Sequence, residues 1–332
     1  MSQIPPGGEG RTADQSLPPV EPPSAGFILQ LFVVPAVMVI IIVLVWLMFN
    51  WLAHMGSDPQ DYVAALRRGN VARWQAAVNL ANAMRSNPKL KQDAALADQL
   101  AKLLDGELQT EGEPSKNDIQ TQAYLCKALG EFQTPVGLPV LLKAADPKSD
   151  IQVRRAAIES IAILAANVGR QEPLSDPQLF PVLLAAASDE ESGIREVAAY
   201  TLGVLGGPEA TPRLQALVND AAPNVRFNAA TGLARWGDTA AIGVLVEMLN
   251  PDETAGIAGE TDADSKEFKR QSILTNALRA TTQLATANPT ADLKPLEEAV
   301  AKLVDSSAPE KIRIAARDEV LAGLKRRTTT TP

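Results

Sequence analysis

Between residues 58 and 327 apolar residues recur in short blocks with the i, i+3, i+4 spacing of one helix face. Around Arg195 the apolar positions are Ile194, Val197, Ala198, Leu202 and Leu205. The block before it places Leu179, Val182, Leu183 and Ala186 on one face, and a polar turn containing Asp189 lies between the two. The pattern then repeats. With Arg195 set on Arg226, Ala198-Ala199 falls on Ala229-Ala230, Leu202 on Leu233 and Gly203 on Ala234. The shorter block of this second copy carries Leu214, Leu217 and Val218. Each copy is thus two short helices joined by a tight turn. Two helices alone cannot bury both apolar faces, so each pair must stack on a neighbour, and a period of 31 to about 45 residues predicts a solenoid.

A second marker keeps the same register. Pro-x-x-x-Pro occurs at Pro135/Pro139, Pro177/Pro181 and Pro208/Pro212, stepping by 42 and 31 residues. The anchors Arg154, Arg195 and Arg226 step by 41 and 31. The first proline of each pair is expected at the first helical position, the second to kink the first helix slightly. Carried along the chain, the pattern predicts an all-α fold of about seven helical pairs. They are expected at 58–68 and 70–86, 91–105 and 117–130, 136–145 and 151–168, 178–187 and 193–206, 209–219 and 224–236, 239–249 and 266–287, and 293–304 and 310–325. At a packing step of about 10 Å this is a rod or arc roughly 70 Å long.

Asp189, Ile194-Arg195, Ala198-Ala199 and Leu202-Gly203-Val204-Leu205-Gly206 resemble the HEAT-repeat pattern, in particular its phycobilisome-lyase HEAT-like subtype. Asp220, Val225-Arg226, Ala229-Ala230 and Leu233 follow it closely. Departures occur near Leu129-Gly130, where Gln122 replaces the arginine, and in the helix from Lys266 to Ala287, which lacks the alanine pair. The resemblance covers most of residues 58–327. It implies an α-solenoid with a binding role and carries over no catalytic residue. It also implies a structural ladder between neighbouring repeats, built from Asp150, Arg154, Asp189, Arg195, Asp220, Arg226, Asp305 and Arg313.

The N-terminal part has a different pattern. Residues 1–26 are Pro/Gly-rich with few large apolar groups and are expected to be a disordered tail. Residues 22–57 carry no charged side chain, taking His54 as neutral, and Leu31 to Phe49 is almost wholly apolar. About 20 such residues cross a hydrocarbon layer, so residues 27–53 are expected to form one transmembrane helix. Phe27 suits one interface, Trp46 and Trp51 the other, and Pro35 lies near the start. A cleaved signal peptide would need a basic start, a shorter core and a small-x-small site, none of which is clear here. Arg11 precedes the segment, while Arg67, Arg68 and Arg73 follow it. The positive-inside rule then places the solenoid in the cytoplasm. Asp58-Pro59 is expected to cap the first solenoid helix, and residues 328–332 to fray.

Composition narrows the chemistry. The chain of 332 residues has a net charge of −8 and is 46% hydrophobic but only 4% aromatic. An acidic chain with few aromatics lacks the basic, stacking footprint of a nucleic-acid binder. One Cys excludes an internal disulfide, and one His excludes a Ser-His-Asp triad in the solenoid and any multi-histidine metal site. Cys126, in an Ala-rich helix, is expected in the core. Catalytic, cofactor and metal residues are therefore assigned to none. Two long acidic turns are expected on one edge, at 105–117 with Asp105, Glu107, Glu111 and Glu113, and at 250–267. The latter resembles a calcium loop only at its start.

The resulting expectation is a single-pass membrane protein that displays a solenoid to a protein partner. Candidate binding residues are Glu159, Glu196, Tyr200, Asn228 and Arg235 on the second helices, lining the concave face, and Asp252, Glu253, Glu260, Asp262 and Asp264 in the acidic turn. The alternatives are a bilin-lyase-like enzyme or enzyme subunit, and a purely structural envelope protein.

Overall fold

The computed structural model describes residues 24–54, 59–67, 73–110, 112–169 and 173–330. The tail up to residue 23 with Arg11, the Asp58 cap, Arg68, Glu111 and the last two residues lie outside them, as do the side chains of Trp51 and His54. No strand occurs among the described residues. The chain divides into two units, Met1–Ser57 and Asp58–Pro332.

In the first unit, α1 (Ala25–His54) is the one described helix. Every side chain from Gly26 to Asn50 is exposed, and the Ala25–Asn50 stretch is long and apolar enough to cross a membrane. Ser24 Oγ accepts from the Phe27 amide at 3.2 Å, which satisfies one free donor of the first turn. The helix starts earlier than the sequence pattern suggests. Pro35 is therefore its eleventh residue, inside the helix rather than near its start, and removes a backbone hydrogen bond there.

In the second unit, seven antiparallel pairs follow one another. They are α2 (Pro59–Arg67) with α3 (Arg73–Ser86), then, after the single turn α4 (Pro88–Lys91), α5 (Ala94–Leu108) with α6 (Lys116–Gly130). Next come α7 (Leu138–Ala144) with α8 (Ile151–Val168), α9 (Leu179–Ala186) with α10 (Ser192–Leu205), and α11 (Ala210–Leu217) with α12 (Pro223–Arg235). The last are α13 (Ile242–Met248) with α14 (Ala263–Ala287), and α15 (Lys294–Val304) with the segments α16 (Glu310–Ala315) and α17 (Ala322–Thr330). A π-helical stretch, Ala316–Leu321, joins α16 to α17, so this last helix continues through the threonines expected to fray.

The second helices form one layer: α3 packs on α6, α6 on α8, α8 on α10, α10 on α12 and α12 on α14. Small side chains make this possible. Ala156-Ala157, Ala198-Ala199 and Ala229-Ala230 are buried at 4% exposure or less. Alanine contributes little apolar area, but it lets backbones approach until dispersion contacts are dense. The approach is tightest where α10 meets α12. A Cβ placed on Gly203 would lie 2.7 Å from the Gly232 Cα, and one on Gly232 would lie 2.6 Å from the Gly203 Cα. Between α8 and α10 the buried Thr201 hydroxyl reaches across to Ile158 O at 2.9 Å. Leucines fill the space between layers, with Leu141, Leu183, Leu214 and Leu245 of the first helices all at most 1% exposed.

The prolines play a different part from the one the spacing suggests. Pro177 and Pro208 lie in the turns before α9 and α11, and Pro135 opens a short 3-10 turn before α7. Pro139, Pro181 and Pro212 then fall in the first helical turn, whose amides lack intrahelical acceptors, so none of them costs a bond or forces a kink. The two long turns are also shorter than expected. Asp105 and Glu107 belong to the last turn of α5. Asp262 caps α14 through the Ser265 amide at 2.8 Å, leaving Asp264 and Glu267 helical. The remaining loop before it folds inward at a 3-10 turn, where Gly256 and Ile257 are buried.

The contact between Gly203 and Gly232 is backbone against backbone, with no flexible atom to yield. Gly232→Ala is expected to destabilise the full chain by about 1–3 kcal/mol, despite a helix-propensity gain of about 1 kcal/mol. Gly323→Ala, where nothing lies within 4 Å, is expected to be neutral or stabilising. Thermal unfolding in mild detergent measures both. Equal effects would show that the close approach contributes nothing.

Candidate protein interface

Four of the seven second helices, α8, α10, α12 and α16, open in the same way. In these the third residue is a buried Val or Ile (Val153, Ile194, Val225, Ile312), and the fourth is an arginine (Arg154, Arg195, Arg226, Arg313). The buried residue fixes the helix, and the arginine emerges beside the turn that precedes it. Arg195 Nη1 donates to Asp189 O and Glu190 O, both at 2.9 Å. Arg226 Nη1 donates to Asp220 O and Ala221 O at 2.9 and 3.2 Å. The guanidinium thereby closes its own turn while its other nitrogens reach the next pair.

That reach makes the rungs. Arg195 meets the Asp220 carboxylate in a two-point contact at 2.8 and 2.9 Å. Arg154 pairs with Asp189, Arg226 with Glu247 and Arg73 with Glu107. In every case the acid stands in the last turn of the next pair's first helix (Glu107, Glu247) or three residues past it (Asp189, Asp220). With side chains only 18% and 10% exposed, Arg195 and Asp220 are shielded enough to exceed an ordinary surface pair. The Arg195 hydrogen bond, helped by the Ala222 amide and the positive charge of Arg195 and Arg213, holds the Asp220 carboxyl below its usual value against the opposing effect of burial. Burial also pushes Asp189 up, but the Arg154 hydrogen bond, the Glu191 amide and the Arg154 and Arg195 charges bring it down on balance.

Three of the ladder residues named from sequence make no such rung. Asp150 caps α8 by accepting from the Gln152 amide at 2.8 Å. Asp305 is exposed just past α15. Arg313 holds its turn through Nε to Ala308 O at 3.0 Å, with no ion pair among the described residues. Conversely, Glu107, Glu247 and the Glu131 carboxylate, which ties Arg85 and Lys91 at 3.1 and 2.9 Å, escaped the sequence reading. Glu247 lies inside its helix rather than after it, so a search for Asp at the turn passes over it. Arg73, already in repeat register, was the signal for Glu107.

The candidate binding residues separate into two groups. Glu159 and Tyr200 are exposed on α8 and α10. Glu196, Asn228 and Arg235 are half-buried. Asn228 donates to Glu196 O at 3.1 Å and Arg235 to Gly203 O at 3.1 Å. Both tie α12 to α10, so the expectation that they are open to a partner is corrected by the close packing of these helices. In the acidic turn Glu253 is engaged internally, accepting from the Ala255 and Gly256 amides at 2.6 and 3.0 Å. Asp262 is occupied as a cap. Asp252 and Asp264 are exposed, while Glu260 is half-buried near the α14 cap.

One open groove of about 390 Å³ runs between α6 and α8, lined by Tyr124, Lys127, Gln152, Arg155 and Glu159 among others. The Lys127 ammonium lies 5.0 Å from the Tyr124 ring centre, a cation–π distance. Arg155 and Glu159 enter no ion pair among the described residues. Little here points to covalent or metal chemistry. Burial pushes the Cys126 thiol up to about 12, away from the thiolate a nucleophile needs. Among the described residues no three His, Cys, Asp or Glu are grouped to hold a metal.

Residues 180–258 match the family model described as HEAT repeats. That stretch contains the two best-aligned copies and the Arg195 and Arg226 rungs. Similar solved structures include an engineered protein (21% identity, 68% of this chain and 98% of that one, TM-score 0.38). Others are YibA of Escherichia coli (15%, 75% and 93%, TM-score 0.35) and human deoxyhypusine hydroxylase in complex with glycerol (18%, 82% and 97%, TM-score 0.30). No curated protein matches the chain by sequence.

Because the Asp220 carboxyl is lowered in the folded state, its contribution is complete above the unfolded value of about 3.9 and is lost as pH falls through the lowered folded value. Arg195→Met is expected to cost about 1.5–3 kcal/mol at pH 7 and clearly less below pH 3. Denaturant unfolding at both pH values measures this. A cost that does not change with pH would assign Arg195 to packing and to its own turn carbonyls, with no contribution from Asp220.

Proposed function

We propose that the protein is a membrane-anchored scaffold that holds a partner protein on the face built by its second helices. The observation that carries this reading is the row of accessible side chains on consecutive second helices: half-buried Tyr124 and Lys127 on α6, exposed Arg155 and Glu159 on α8, and Tyr200 on α10, which is 40% exposed. Tyrosine and arginine on rigid backbone supply large contact area at low entropic cost, as binding hot spots do. The layer beneath is close-packed, so the row is presented without a folding cost on binding. Helical-repeat stacks of this kind offer extended surfaces rather than pockets for chemistry. The acidic edge at Asp252, Glu260 and Asp264 is a secondary surface, since two of its other carboxylates are used internally.

The anchor in this reading is α1, a helix of 30 residues with apolar side chains on every face. At 1.5 Å per residue it exceeds the roughly 30 Å hydrocarbon layer. Alkaline carbonate extraction is expected to leave the full chain in the membrane pellet and to release a chain lacking residues 25–54. Release of the full chain would refute anchoring by α1. The excess of arginine after the segment supports a cytoplasmic solenoid, which a C-terminal reporter active only in the cytoplasm would test.

For the interface, the full-length tagged chain in mild detergent is expected to retain a stoichiometric protein partner. Arg155→Glu combined with Tyr200→Ala is expected to lose it at least tenfold, with thermal stability unchanged. If reversal of the charges in residues 250–267 removes the partner instead, the acidic edge is the site. Absence of any stoichiometric partner would overturn the scaffold reading.

A further inference from the structure

The rungs follow a rule that stops at Arg313. An arginine at the fourth position of a second helix holds its own turn and takes the acid that ends the next pair's first helix: Asp189 for Arg154, Asp220 for Arg195, Glu247 for Arg226. The sixth pair breaks the series within itself, for Arg270 turns to Glu267 of its own helix at 3.5 Å. Arg313 is at the fourth position of α16 and keeps the turn contact, to Ala308 five residues back, as Arg195 and Arg226 do. It makes that contact with Nε, leaving both terminal nitrogens without a carboxylate among the described residues. Next to it stands Ile314, which is 44% exposed. In α10 the same position is Glu196, whose carbonyl receives Asn228 of the following pair, so this position faces the next unit of a stack. The last pair also leaves an open groove of about 690 Å³ between α15 and α17, with Leu293, Ala301, Leu321 and Leu324 on its walls.

We infer that this end of the stack docks an apolar helix of a partner protein carrying a carboxylate at its C-terminal end, received by Arg313 as the earlier arginines receive theirs. This deepens the scaffold reading and rests on it. Charge complementarity is local: Arg313 calls for a carboxylate at one end of the docked helix, while the groove carries Asp292, Glu297 and Glu298 beside Lys294 and Lys325 and so favours a helix that is apolar, not acidic, along its length. A second copy of this chain is a poor occupant. Its α2 ends at Arg67, and residues 62–72 hold two arginines and no acid, so head-to-tail stacking offers Arg313 no carboxylate. End-to-end pairing sets Arg313 against its equal.

The chain itself supplies a probe of the right chemistry. A labelled peptide of residues 208–222 carries α11 and Asp220, the acid that Arg195 takes. Titrated with the detergent-solubilised full chain, its fluorescence anisotropy is expected to show saturable binding that Arg313→Glu weakens about tenfold. A peptide with Asp220→Lys is expected to recover binding to the Arg313→Glu chain but not to the wild type. Arg317→Glu makes the same charge change at a residue already paired with Asp318 and is expected to alter affinity less than about twofold. Should Arg313→Glu melt early, Arg313→Gln removes the charge with less disturbance and is expected to weaken binding as well. No saturable binding, equal losses for Arg313→Glu and Arg317→Glu, or a concentration-dependent dimer abolished by Arg313→Glu would each overturn the inference. The partner capture on the second-helix face is a separate measurement, so either result can fail without the other.

Discussion

The structure depends on how closely its second helices approach one another. A pair of short helices exposes more apolar surface than it can bury, and first helices of seven or eight residues such as α7, α9, α11 and α13 cannot stand alone. The alanine pairs and the Gly203–Gly232 contact bring successive backbones together, which seals the leucines between the layers. Other features follow from that spacing. Thr201 can reach a carbonyl of α8, Asn228 one of α10, and each arginine an acid of the next pair, because the units repeat at short range. The arginines fix alignment between neighbours, with energy as a lesser contribution, since a partly exposed pair contributes about 1 kcal/mol or a little more.

Much of this architecture was legible in the sequence. The 31-residue offset between Arg195 and Arg226 carries the alanine pairs with it, and seven pairs lie where periodicity places them. What escaped was set by contacts between units rather than by pattern within one. Asp105 and Glu107 looked like loop residues because Gly106 lies between them, yet α5 continues through them as Glu107 pairs with Arg73 and Asp105 with Lys143. The second prolines looked like kinks because the start of α9 and α11 is fixed by the preceding turn, which sequence places only to within a few residues. Asn228 and Arg235 looked open to solvent on a single helix. Only the approach of α10 turns them into ties.

The candidate interface was less legible than the fold, and for a physical reason. Burial follows a period that one sequence reveals, whereas a binding face consists of the residues left over after every internal partner is taken. Glu253 and Asp262 are acidic and loop-borne, like the residues beside them, but backbone amides occupy both. Arg155 was not singled out at all, although it lies exposed beside Glu159 in the groove between α6 and α8. The same accounting at the end of the stack distinguishes Arg313 from its equivalents, which are indistinguishable from it by sequence register.

The central claim is that residues 59–330 form one stack whose stability passes from pair to pair through the second helices. Native-state hydrogen exchange on the full chain in mild detergent tests it directly. A stack of nearest neighbours predicts that α8, α10 and α12 exchange slowest and open together, with protection declining toward both ends. If a central pair such as α9–α10 opened alone while its neighbours stayed protected, the pairs would be independent units and the account would be wrong.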